Sequence, residues 1–359
     1  MSVYTNVLAF WKEFEEKDAT LRQNLVEDQD QAFAMMEKYD EKINQICGSH
    51  FFCEFTYDAF EMTFDTGPNK TSQYLAWYCA QLAPQSIQKN WIINSCLPPM
   101  SQKAIQADLK IKEDDYYLND FTVFYTVDQK NQTIDCKLYC PGYSQIGNDE
   151  RKKEMSMYLI ELALGQCAYE AYLSSVDCLD TPDETMKFCN LIDFYETIME
   201  TVEKHNWHTY NHPTEIYSMY QPYKEFADDN GLANDVVGQA RDSLRKDMKM
   251  IFTTHPLLVE ETIEQKQDVL SDLLVKDGEF GYMYFMNLYN NKEDALFRQE
   301  LSKKLDKEMT KIHAAKVIGG AIGKSYCYID WIVFDKHRFI QAFNDIKKQL
   351  DIKLYYQKF

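Results

Sequence analysis

The sequence predicts an α+β fold built in three sections, each with antiparallel hairpins covered by helices. Two observations carry this prediction. Short runs rich in aromatic and β-branched residues come in close pairs, as at Phe51–Tyr57 with Phe60–Asp65 and at Phe121–Val127 with Thr133–Cys140. Runs that close can pair only as antiparallel hairpins, because a parallel crossover needs a dozen or more intervening residues. Around these pairs lie segments whose apolar residues recur at helical spacing, long enough to cover one face of a sheet. Hairpins and helices mixed in this way are the α+β pattern.

The first section, residues 1–100, opens on an amphipathic helix with Val7, Phe10, Trp11 and Phe14 on one face. A second helix, about Gln31–Cys47, is expected to turn Phe33, Met36, Ile43 and Ile46 inward. The first hairpin folds at Asp58-Ala59. Ser72 stands where an N-cap would for a helix to Leu82, ended by Ala83-Pro84. Trp91–Leu97 reads as a strand stopped by Pro98-Pro99.

The middle section, 101–204, has its hairpin around Asp128–Gln132 and a break at Pro141-Gly142. A helix around Glu150–Leu164 places Met155, Tyr158, Leu159 and Leu162 inward, and Tyr169–Val176 reads as a strand. Thr181-Pro182-Asp183 is the expected start of a long helix to Lys204, with Phe188, Ile192, Tyr195, Met199 and Val202 on one face. Residues 205–240 are the least regular and read as a linker packed through Trp207, Tyr210, Tyr217, Tyr220 and Tyr223, with Asp228–Gly231 as a turn.

The last section, 241–359, alternates strand Met248–Thr253, helix Pro256–Lys276, strand Phe280–Tyr289 and helix Lys292–Ile312. In that last helix Leu301, Leu305, Met309 and Ile312 are in register. After a glycine-rich hairpin come a helix with Phe339, Phe343, Ile346 and Leu350 inward and a strand at Ile352–Tyr356.

The glycine-rich stretch, Lys316–Asp335, holds the longest apolar run in the chain. Gly319, Gly323, Lys324 and Ser325 resemble a phosphate-binding loop, but the spacing is one residue short, since position 318 is Ile. A phosphate loop also runs into a helix whose amides hold the ligand, and here Tyr326–Phe334 reads as a strand. The expected structure is a hairpin in which Lys316-Val317-Ile318 enters, the glycines form a turn or bulge, and Tyr326–Phe334 returns. Alternation puts Tyr328 and Asp330 on one apolar face, where a carboxylate requires a hydrogen-bonding partner or a raised pKa. An Asp330 that ties down the glycine turn is preferred over a catalytic one. Gly319, Gly320, Gly323, Tyr328 and Asp330 are the candidate binding residues.

Charge and composition narrow the function. The 359 residues are 45% hydrophobic and 26% charged, which is globular and not disordered. Lys and Arg number 38 against 57 Asp and Glu, for a net charge of −19. Residues 1–100 carry −7, 101–210 carry −10 and 211–359 carry −2. That balance argues against nucleic acid and anionic membranes and suits a basic protein partner. No stretch approaches the roughly 20 apolar residues of a membrane span. The ten cysteines include no C-x-x-C pair, and residues 1–8 lack a basic start followed by an apolar run, so free thiols in a reducing cytoplasm are expected.

His205, His208 and His212 are the sharpest metal candidate, since positions i, i+3 and i+7 share a helical face and imidazole suits zinc or iron. Asn206, Thr209, Asn211 and Pro213 are poor helix formers and no acid interleaves, so a polar, aromatic linker is preferred. His255 precedes Pro256 at a strand-to-helix junction, with Thr253 and Thr254 as natural caps. No G-x-S-x-G, C-x-x-C or G-x-G-x-x-G motif occurs, and no cofactor is expected.

Phe10-Trp11-x-x-Phe14, Ala83-Pro84 before Trp91, Pro98-Pro99, Ala163-Leu164-Gly165-Gln166 and Gly319-Gly320-Ala321-x-Gly323 with Tyr328-Ile329-Asp330 span most of the chain. Together they resemble a family of bacterial conserved hypothetical proteins. Gln166 stands where that pattern calls for an acid. The resemblance implies a bacterial, cytosolic protein and brings no activity with it. The expected function is a non-enzymatic acidic binding protein, of the immunity or regulatory kind, that engages a basic protein. The alternative is a metal-dependent hydrolase using the 205–212 histidines or a pocket near Gly319–Asp330.

Overall fold

The apolar spacing of the opening residues closes into α1 (Val3–Glu27), with Val7, Phe10, Trp11 and Phe14 all buried. The computed structural model describes residues 1–56, 58–100, 108–183, 185–221 and 244–359. After α1 come α2 (Gln29–Cys47), β1 (His50–Thr56), β2 (Ala59–Asp65), α3 (Lys70–Gln81), the short α4 (Gln85–Gln88) and β3 (Trp91–Asn94). Next are β4 (Asp108–Ile111), β5 (Asp114–Tyr117), β6 (Thr122–Asp128), β7 (Thr133–Tyr139), α5 (Asp149–Tyr172), β8 (Leu173–Leu179), β9 (Lys187–Asn190) and α6 (Phe194–Lys204). The chain continues through β10 (Ser218–Tyr220), β11 (Met248–Thr253), α7 (Pro256–Glu264), α8 (Asp268–Val275), β12 (Glu279–Met286) and α9 (Glu293–Lys311). It closes with β13 (Ala315–Gly323), β14 (Tyr326–Val333), α10 (Lys336–Lys347) and β15 (Tyr355–Lys358). The fold is α+β. Among the described residues no helix is long and apolar enough to cross a membrane.

Contacts divide the chain into two compact units. The early unit is Glu15–Asn44 with Gly48–Ile216; the late unit is Tyr217–Phe359 with Met1–Phe14 and Gln45–Cys47. The 205–240 stretch is thus divided at Ile216, and its β10 joins the late unit's sheet. Trp207 is buried and Tyr217 is exposed; Tyr223 and the Asp228–Gly231 turn lie outside the described residues.

In the early unit, β1, β2 and β3 form one sheet, with β1–β2 the expected hairpin. Phe33 is exposed on α2, not inward as its spacing suggested. α3 begins at Lys70, so its cap is Asn69, whose side chain accepts from the Ser72 amide at 3.1 Å; Ser72 is the capped residue and not the cap. The other main sheet has the order β8-β7-β6-β9. Val123, Ile134, Cys136, Leu138 and Val176 on its inner face pack with Leu159, Ile160 and Leu164 of α5 and Ile198 of α6.

Two early-unit expectations fail for non-local reasons. α5 continues past Leu164 to Tyr172, interrupted only at Gly165 (φ 69, ψ 159), so Tyr169–Tyr172 is helix and the strand begins at Leu173. At the interruption the Gln166 amide donates to Leu97 O, and a Cβ on Gly165 would lie 2.5 Å from the Pro99 nitrogen. The Pro98-Pro99 segment therefore runs where only glycine leaves room. The helix expected from Thr181 starts at Phe194 instead. Lys187–Asn190 satisfies its backbone on the open edge of β6, with Phe188 opposite Phe124, which leaves Phe188 exposed.

The late unit is built on a six-stranded sheet of order β10-β11-β13-β14-β12-β15. β13 and β14 are the glycine-rich hairpin, but the glycines lie within β13 and the turn is Lys324-Ser325. The register shifts between Val317 and Gly319, so the bulge is real while the glycine turn is not. α9 covers one face, with Leu301, Leu305 and Met309 against Ile329, Trp331 and Val333. The expected Pro256–Lys276 helix is two helices, broken where Gln265 takes φ 61. His255 itself caps α7, its Nδ1 accepting from the Leu258 amide at 3.2 Å, while Thr253 Oγ1 accepts from the His255 amide. The last strand starts at Tyr355, three residues later than its expected start.

Candidate functional site

Of the candidates in the glycine hairpin, Tyr328 and Asp330 lie in a buried polar network of the late unit. Arg245 supplies the partner Asp330 requires: Nη1 to Oδ1 is 2.6 Å and Nη2 to Oδ2 is 3.3 Å. The guanidinium also lies 4.8 Å from the Tyr282 ring centre and 4.4 Å from that of Phe359. The Tyr328 hydroxyl donates to Asp247 Oδ1 at 2.6 Å and accepts from the Arg245 amide at 2.9 Å. Burial, then the Asp247 carboxylate, pushes that hydroxyl far above its ordinary pKa, so it stays a donor.

Asp247, not Asp330, ties down the turn. Its Oδ2 accepts from the amides of Ser325 (2.8 Å) and Tyr326 (3.1 Å), and its own carbonyl accepts from Lys324. Gly323 is required because the carboxylate occupies the space its Cβ would take. The network is a buried scaffold: both carboxylates are occupied by protein donors, and Asp330 is 2% exposed. Gly319 and Gly320 lie opposite Asp330 and Ile329 on β14.

The histidine cluster loses its helical premise. α6 ends at Lys204, His205 is its C-cap, and Asn206 takes φ 52. His205 packs near Trp207, the exposed His208 meets Tyr210 edge-on at 4.6 Å, and His212 is buried with Nδ1 2.8 Å from Thr214 Oγ1. Among the described residues no group of three or more His, Cys, Asp and Glu side chains is placed to hold a metal ion. His212 lines an early-unit cavity of about 420 Å³ with Cys96, Cys167 and Tyr172. Burial pushes the His212 imidazole down to about 4 and both thiols up to about 12, so the cavity holds a neutral imidazole and protonated thiols. A nucleophilic cysteine needs the thiolate, and this arrangement does not provide one.

A second surface stands out by charge. The early unit carries −18 of the net −19, and the late unit −1. The outer face of the β8-β7-β6-β9 sheet displays part of that charge. Register places Phe188, Phe124, Lys137 and Asp177 in one row across the four strands, with Thr126, Asp135 and Ser175 in the next. Phe188 is 66% exposed on the edge strand beside the buried Phe124, and Asp135, Asp177, Thr126 and Ser175 are exposed on the other strands of the face. A bulge between Ile134 and Asp135 brings both Ser174 and Ser175 hydroxyls onto Asp135 Oδ1, at 2.8 and 2.5 Å. Sequence reasoning missed this face, although Thr133–Tyr139 signals it: Ile134, Cys136 and Leu138 alternate with Asp135, Lys137 and Tyr139.

Compared with family models, curated proteins and solved structures, the chain matches none.

Proposed function

We propose that the chain is a binding protein without chemistry of its own, whose early unit docks a basic protein partner in the bacterial cytoplasm as an immunity or regulatory protein does. The observation that carries this reading is the concentration of −18 in one unit, combined with a sheet face that exposes Phe188 at one edge and the carboxylates of Asp135 and Asp177 on its other strands. A field of one sign accelerates encounter with an oppositely charged partner and discourages others. The exposed aromatic then supplies apolar contact area, as interface anchors do. Asp135 is held in place by two serine hydroxyls, with Lys137 in the adjacent row of the same face. The half-buried thiols and the neutral His212 add no activated nucleophile.

The test is a photo-activatable phenylalanine analogue at position 188, cross-linked in the producing cell, with the captured protein identified and purified. A basic partner whose affinity for the purified chain drops in Phe188→Ala and Asp135→Asn supports the reading. A neutral or acidic partner, or a basic one indifferent to both substitutions, contradicts it.

A further inference from the structure

α9 carries Arg298 over the glycine strand of the late unit. Its Nη1 lies 2.7 Å from where a Cβ on Gly320 would stand, so the missing side chain is what lets the guanidinium reach the sheet. Nε is fully buried, and Arg298 has no hydrogen-bond or ion-pair partner among the described residues. Asp330 is the acid whose charge acts on it most strongly, yet both oxygens of Asp330 are taken by Arg245. Burial without a partner pushes the Arg298 pKa down, but a guanidinium remains charged at any ordinary pH. A half-buried, uncompensated cation costs stability.

Arg298 lines a cavity of about 420 Å³ in the late unit. Ser302 and Lys303 from α9 and Tyr217 supply further polar groups, while Phe252, Val317 and Ile322 make an apolar wall. That volume falls within the roughly 300–1,000 Å³ of small-molecule pockets, which combine apolar lining with a few polar groups.

The geometry points to a binding site for a small carboxylate that bears an apolar group. The two carboxylate oxygens match the planar fork of Arg298, and the apolar group lies against Phe252 and Ile322. A single negative charge fits better than a phosphate dianion. Arg298 offers the site's one forked cation, and Asp306 stands close enough to act on Tyr217. The site belongs to the late unit and is independent of the acidic docking face.

The experiment is a titration of the full chain with phenylacetate, followed by calorimetry and amide NMR shifts, with acetate, 2-phenylethanol and inorganic phosphate as comparisons. Phenylacetate is expected to bind saturably and more tightly than acetate, and 2-phenylethanol not to bind. Arg298→Leu is expected to weaken phenylacetate roughly tenfold or more. The same variant should melt no lower than the parent, because it removes an uncompensated charge. Arg298→Lys keeps the charge but not the fork, and should fall between the two. The proposal is overturned if phenylacetate does not saturate, if phosphate binds in preference to it, or if Arg298→Leu binds as the parent does. A lowered melting midpoint in Arg298→Leu would also overturn it, by making the arginine structural.

Discussion

The carboxylate of Asp247 fills the space that a side chain on Gly323 would need, although 75 residues separate the two. From that position it holds the Ser325 and Tyr326 amides and the Tyr328 hydroxyl at once. Gly323→Ala should therefore displace the carboxylate from three donors. A loss of at least about 2 kcal/mol is expected, since a hydrogen bond to a charged group contributes roughly 1.5–3 kcal/mol. Urea denaturation measures it, and a loss below about 0.5 kcal/mol, the range of ordinary surface changes, would mean that the turn does not depend on Asp247.

Asp330→Asn should be among the most damaging single changes in the late unit. It leaves the Arg245 guanidinium buried beneath Tyr282 and Phe359 with its ionic partner gone. Breaking a buried pair in this way costs about 3–5 kcal/mol. Replacing both members with apolar residues, Asp330→Leu with Arg245→Met, should recover much of that loss. If the double variant is as unstable as the single one, the pair is not an isolated ionic unit.

His212 gives stability a pH dependence of known sign. Its folded pKa of about 4 lies below the ordinary 6.5, so between those values the unfolded chain binds a proton that the folded chain refuses. The contribution is fully present above about pH 6.5 and is lost as pH falls towards 4, to an extent on the order of 3 kcal/mol. His212→Gln should flatten the stability profile across that window. An unchanged slope would show that other groups carry it.

How much was legible in the sequence depended on how far apart the deciding partners lie. The hairpins β1–β2, β6–β7 and β13–β14 were readable because both strands and their turn are neighbours in the chain. The need of Asp330 for a partner was readable from its apolar face. The identity of that partner was not, because Arg245 comes from 85 residues away. The same limit hid the Gly165 interruption, which exists to admit Pro98-Pro99, and β9, which forms because the edge of β6 is open to it. Local spacing misassigned Phe188 to a buried helical face, and with it the most exposed aromatic of the outer β8-β7-β6-β9 face.

The proposed docking of a basic partner on the outer β8-β7-β6-β9 face is tested most directly by the affinity of the purified chain for whatever protein cross-links to position 188, measured from low to high ionic strength. A steep weakening with salt is expected, becoming shallower in an Asp135→Asn, Asp177→Asn variant whose thermal midpoint is unchanged. An affinity that does not respond to salt, or a salt response identical in the variant, would contradict it.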